Sequence, residues 1–179
     1  GAGAVDDSSG TASVLELATI FSDLIKEKGE PEKTIRFCTW GGEEEGLWGS
    51  NAYVEDMKSE LTQNLRLYVN LDMNHVDIDQ SRGNSVTLFT NSKGDHEHIS
   101  NLADQYLDSN PEMASKYKIN LRLLDGPKGE SDGMPCNSDH CPFVYNLDGS
   151  ENGKATVCYG SGSWEYHTYL DTMDRFNEE

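Results

Sequence analysis

Apolar residues at Val14, Leu17, Ala18, Phe21, Leu24 and Ile25 recur with the spacing of one helix face and predict a helix over Ser8–Lys28. Gly29 and Pro31 close it. The run TIRFCTW, residues 34–40, is β-branched and aromatic, which predicts a short strand. A second helix is expected over 46–61. A second strand follows over 65–71 (LRLYVNL), nearly continuous in apolar character and stopping at Asp72. Ser85–Thr90 predicts a third strand, and 95–108 a helix with Ile99, Leu102, Ala103 and Tyr106 turned inward. Residues 117–124 alternate in strand fashion, 125–137 are rich in Gly, Pro and Asp and predict a loop, and Ala155–Tyr159 predicts a last strand. No repeat or low-complexity segment interrupts this order.

Strands alternating with helices imply an α/β fold with a largely parallel sheet. In such sheets ligands sit at the carboxyl ends of the strands. Three acidic clusters fall there. Glu43, Glu44 and Glu45 follow the strand at 34–40, and Asp72 ends the next one. Asp6 and Asp7 stand just before the first helix, where another strand would have to end.

A length of 179 residues suits one domain, residues 1–179, and is short for two. The net charge of −18 repels phosphate backbones, which disfavours a nucleic-acid partner and favours cations. No run of about 18 apolar residues is present to span a membrane. The chain opens on GAGAVDD, with neither Met nor a charged-then-apolar leader, and is expected to be a processed or trimmed product. Of its four cysteines, Cys136 and Cys141 flank a loop and could pair if the protein is exported. Cys38 sits in an apolar run and is expected to be buried.

Each acidic cluster has a plain reading. Asp6 and Asp7 can cap a helix, the glutamates can favour the next helix start, and Asp72 can be a turn residue. His167 can be an ordinary histidine. Together the clusters are harder to dismiss, because carboxylates converging on one rim repel unless a cation neutralises them. Zinc accepts carboxylate oxygen and imidazole nitrogen, and a catalytic site keeps one position for water. One glutamate of an adjacent pair can then ligate while its neighbour takes a proton from that water.

The ordered stretches GAVDDSSG, GGEEEGLWGS, NLDM, NSDHCPF and YHTYLDTMD resemble the co-catalytic zinc exopeptidases, which include bacterial leucine aminopeptidases and glutamate carboxypeptidases. The resemblance covers essentially the whole chain. It implies a three-layer α/β/α sandwich with a mixed, mostly parallel central sheet, and hydrolysis of a terminal peptide bond at a two-zinc centre. Residue by residue, it implies that Asp6 bridges the metals, Glu43 is the general base and Glu44 the ligand beside it. Asp72 matches the second metal's aspartate and His167 the first metal's histidine. Asp139 and His140 match a motif beside the substrate pocket, where loop-shaping hydrogen bonds are the alternative to substrate contact. Trp164, Tyr166 and the loop 125–142 are candidates for the specificity pocket, with ordinary packing as the alternative.

The chain departs from that family at two places. It has no HxD motif upstream of Asp6, so one zinc is expected to bind well and a second poorly. His75 is the remaining stand-in, while His96 and His98 suit a solvated helix start. The family's closing helix is also not present past RFNEE. The substrate is expected to be a peptide, with an aminopeptidase favoured. A carboxypeptidase, a dipeptidase, or a non-catalytic receptor-type or inert core of the same fold are the alternatives. A secreted, periplasmic or extracellular location follows from family habit alone. No residue fixes the oligomeric state.

Overall fold

The computed structural model describes residues 2–76, 84–147, 155–159 and 165–176, and of 155–159 the backbone alone. Four strands form one sheet in the order β1-β4-β2-β3, with β1 Tyr68–Leu71, β2 Ser85–Thr90, β3 Lys118–Leu123 and β4 Ala155–Tyr159. The pairs β1–β4 and β2–β3 are parallel and β2–β4 is antiparallel, so the sheet is mixed and mostly parallel. The bounds of β2 and β4 are those expected from their apolar runs.

The helices are α1 Ser8–Lys28, α2 Trp48–Asp56, α3 Lys58–Asn64, α4 Lys93–Ser109, α5 Pro111–Lys116 and α6 Cys141–Tyr145. Asp7 caps α1, its side chain accepting the Gly10 N–H. Gly10 is required where it stands: a Cβ there would lie 2.2 Å from the Leu71 carbonyl oxygen, so only glycine lets α1 come this close to β1. Gly29 ends the helix at φ 91°, its N–H returning to the Ile25 carbonyl. Ser92 caps α4 through the Asp95 N–H.

Four expectations need correction. The helix expected over 46–61 is two helices meeting at Met57, whose φ of −102° and ψ of 10° leave the helical region. The strand expected from 65 begins only at Tyr68. On α1, Leu17, Leu24 and Ile25 are 37%, 47% and 38% exposed, and on α4 Leu102 and Tyr106 are 50% and 48% exposed, so part of each apolar face has nothing over it among the described residues. Residues 34–40 are extended but belong to no strand, and their backbone makes no hydrogen bond to the rest of the described chain. Sequence reasoning also missed the short α5 and α6.

The core lies around α6. Leu124, Met134, Cys141, Val144 and Tyr145 form one buried cluster, and Val54, Leu61, Phe143 and Leu147 another. Tyr68 joins them, its ring stacked on Phe143 at 3.8 Å. Cys136 and Cys141 form a disulfide, and Cys38 is a free, half-buried thiol. No helix among the described residues is long and apolar enough to cross a membrane.

Candidate metal centre

Three segments far apart in sequence bring their side chains together at one end of β1. Asp6 comes from the turn before α1, Glu44 from the turn before α2, and His167 from a turn near the end of the described chain. One donor atom from each lies within 4.8 Å of the other two, the only such group of three or more His, Cys, Asp or Glu among the described residues. His167 Nε2 stands 3.2 Å from Asp6 Oδ2 and 2.8 Å from Glu44 Oε1. The Asp6 side chain is 15% exposed, while those of Glu44 and His167 are open to solvent.

The backbone bends sharply to achieve this. His167, Met73 beside Asp72, and Leu47 after the glutamate run have φ values of 57°, 50° and 59°. Non-glycine residues held in such conformations cost about 1–3 kcal/mol each and persist where the surroundings over-determine them. Two carboxylates do the holding. Asp171 accepts the Val5 N–H on Oδ1 at 2.8 Å and the Asp6 N–H on Oδ2 at 3.1 Å, which ties the Asp6 turn to the His167 turn. Asp7 Oδ1 accepts the Gly10 N–H at 3.1 Å and the Met73 N–H at 3.0 Å, which ties the Asp6 turn to the end of β1. Asp171 lay inside the stretch YHTYLDTMD, yet nothing in the sequence signalled that it reaches back 166 residues.

Under the centre runs a chain of polar contacts. Trp40 Nε1 donates to Tyr68 Oη at 3.0 Å, Tyr68 to Asn70 Oδ1 at 2.8 Å, and Asn70 Nδ2 to Ser138 Oγ at 2.8 Å. Ser138 in turn donates to Asp72. Ser50 donates to Asp139 at 2.5 Å, so Asp139 is a buried part of the same frame.

The charges of the site oppose one another. Burial, then Asp72 and Glu44, push the Asp6 carboxyl up to about 6, with His167 pulling the other way. Asp7 is pushed up to about 7 by burial, against the two N–H groups it accepts. Glu43 is pushed up to about 7 by burial first and then by Glu44, Asp72, Asp139 and Asp6. Asp72 is raised by burial and by Glu44. A divalent cation would relieve this repulsion, and two carboxylates with one imidazole are a donor set that fits a borderline metal.

The other residues singled out by sequence are placed as follows. Asp72 lies near enough to act on Asp6 and Glu43 but is not one of the three converging donors. His140 is fully buried, its Nε2 2.5 Å from the Pro135 carbonyl oxygen, and its bonding is that of a residue shaping the loop before α6. Tyr166 stacks on His167 at 3.8 Å. Trp164 lies outside the described residues. His75 packs on Phe176 at 4.2 Å and His96 meets Thr90 Oγ1 at 3.0 Å, and neither joins the three donors.

Comparison with known proteins is consistent across the chain. The family model described as Peptidase family M28 matches residues 1–179. A probable glutamate carboxypeptidase of Zea mays (VP8) is 39% identical over 174 residues, 96% of this chain and 23% of that protein. An aminopeptidase of Pseudomonas aeruginosa PAO1 is 38% identical over 73 residues, 41% of this chain and 13% of that protein. Aminopeptidase NAALADL1 of Rattus norvegicus is 44% identical over 73 residues, 40% of this chain and 10% of that protein. Among solved structures, an aminopeptidase from Aneurinibacillus sp. strain AM-1 shares the fold, with a TM-score of 0.68 and 24% identity over 98% of this chain and 35% of that one. The chain thus spans only a small part of the relatives it matches.

Proposed function

The chain belongs to peptidase family M28, and from that premise we propose that it is the catalytic part of a zinc-dependent exopeptidase, acting as an aminopeptidase. The observation that carries this reading is the convergence of Asp6, Glu44 and His167, with Glu43 adjacent and outside the group. Those three would hold the ion. When bound there, zinc would lower the pKa of a water and polarise the scissile carbonyl.

The chain's own residues do the rest. Glu43 accepts the proton of the attacking water on its carboxylate and returns it to the departing amine nitrogen. Asp171 and Asp7 keep the ligand-bearing turns in register, and Ser138 orients Asp72. Asp72 is the aspartate proposed for a second metal. Asp139 lines the cleft, His140 shapes the loop before α6, and Tyr166 offers an aromatic face beside His167.

Support for an amino-terminal substrate comes from the relatives named as aminopeptidases, those of Rattus norvegicus and Pseudomonas aeruginosa. A carboxypeptidase is the second reading, favoured by the long match to the maize relative. The disulfide Cys136–Cys141 supports a location outside a reducing cytosol.

Glu43→Gln tests the assignment. Turnover of a leucyl amide with added zinc is expected to fall by about 10²–10⁴-fold while metal content stays the same. Loss of zinc in that variant would make Glu43 a ligand, and release of C-terminal glutamate in place of N-terminal leucine would establish the second reading.

A further inference from the structure

Asn70 is an unusual residue for its place. It sits in β1 at 4% exposed, where an apolar side chain would pack without needing partners. Strand alternation puts Tyr68, Asn70 and, just past the strand, Asp72 on one face, the face that meets Ser138.

The hydrogen bonds along this face run one way, for a reason each group carries. The Trp40 indole N–H can only donate, so Tyr68 Oη accepts from it at 3.0 Å and has its own proton to give. That proton goes to Asn70 Oδ1 at 2.8 Å, an oxygen that can only accept. With its oxygen committed, the amide presents Nδ2 to Ser138 Oγ at 2.8 Å. Ser138 accepts there and turns its hydroxyl proton to Asp72, whose ionised carboxylate can only accept. Both ends of the row are held in place. The Tyr68 ring lies stacked on Phe143 at 3.8 Å and 7°. The loop of Ser138 is pinned by the Ser50–Asp139 bond and by the disulfide Cys136–Cys141. Burial pushes the Tyr68 hydroxyl well above its usual range, so it remains a donor throughout the neutral range.

We propose that Tyr68 is a positioning residue for Asp72: by accepting from Trp40 and donating to Asn70 it fixes which way the Asn70 amide points, and the amide in turn makes Ser138 a donor to Asp72. Without the Tyr68 hydroxyl the amide can turn over. Its oxygen then faces Ser138, the serine proton follows it, and Asp72 meets a serine lone pair in place of a donor. Tyr68 is not among the three converging donors and acts only through this row. The consequence for metal binding rests on the assignment of Asp72 to a second ion, whereas the order of the protons does not.

Neutron diffraction from crystals in heavy water tests the order without any activity. In the wild-type protein the Tyr68 deuteron is expected to point to Asn70 Oδ1 and the Ser138 deuteron to Asp72. In Tyr68→Phe, which keeps the ring on Phe143, the Ser138 deuteron is expected to turn to Asn70. The reverse order in the wild type would overturn the proposal even if the variant did not fold, and so would a variant in which Ser138 still donates to Asp72. Zinc titration reads the consequence. Tyr68→Phe and Ser138→Ala are each expected to weaken the ion assigned to Asp72 by about tenfold, and the double variant no more than Ser138→Ala alone, because both changes remove one and the same donor. Additive losses would show Tyr68 acting apart from Ser138 and would overturn the proposal. If Asp72→Ala leaves zinc affinity unchanged, it is the metal assignment of Asp72 that fails, and the deuteron positions alone decide the role of Tyr68.

Discussion

At the scale of single residues, the side chains that hold the site matter as much as those that form it. Asp171 is buried and accepts two backbone N–H groups of the Asp6 turn. Asp171→Ala leaves the buried Val5 N–H and the partly buried Asp6 N–H unpaired, a buried donor costing about 1–3 kcal/mol and a partly buried one less. Urea unfolding is expected to show a loss of about 2–4 kcal/mol, and zinc titration an affinity weaker by about tenfold or more. An unchanged zinc affinity would mean that Asp171 serves stability alone. His140 gives a second prediction. Its burial holds its pKa at about 4, below the ordinary 6.5, so it stays neutral in the folded protein while the unfolded chain protonates. The stability this contributes is complete above pH 6.5 and is lost as pH falls to about 4, a loss of about 3 kcal/mol. Raised carboxyls such as Asp7 act with the opposite sign, so the measurement is the difference between wild type and His140→Asn across that range. Equal acid slopes for the two proteins would show that His140 is not the group responsible.

Among the elements, those with a long or uniform apolar pattern were legible in the sequence. α1 has its expected bounds because a period of about 3.6 runs from Val14 to Ile25 and a cap and a glycine mark its ends. β2 and β4 are short runs with turn residues on both sides. Other elements depend on what surrounds them. The stretch 34–40 reads as a strand and is extended, but a strand needs a partner, and none is present among the described residues. The break at Met57 carries no Gly or Pro to announce it, and α5 and α6, with 6 and 5 residues, are too short to show a period. The approach of α1 to β1 rests on Gly10. In Gly10→Ala the new Cβ meets the Leu71 carbonyl and the Asp7 carboxylate, so thermal unfolding is expected to show a loss of about 1–3 kcal/mol. A neutral or stabilising outcome, as for an ordinary helical glycine, would refute the close approach.

For the molecule as a whole, the sequence placed acidic clusters on one rim, and the fold brings Asp6, Glu44 and His167 of those clusters and motifs within reach of one ion. That much was legible because each residue sits in a motif at a strand end or turn. Asp171 and Ser50 were not, since their partners are 166 and 89 residues away and long-range pairing leaves no local pattern. The heavy negative charge has a structural counterpart at the site, where burial and neighbouring carboxylates raise the pKa values of Asp6, Asp7, Glu43 and Asp72 together. A cation is the simplest relief for such a group. Crystals of the protein grown with zinc, measured on both sides of the zinc absorption edge, test this most directly. One strong anomalous peak is expected about 2.0–2.2 Å from a carboxylate oxygen of Asp6, one of Glu44 and a ring nitrogen of His167, with Glu43 outside that distance. A strong peak elsewhere, with those three side chains left without metal, would contradict it.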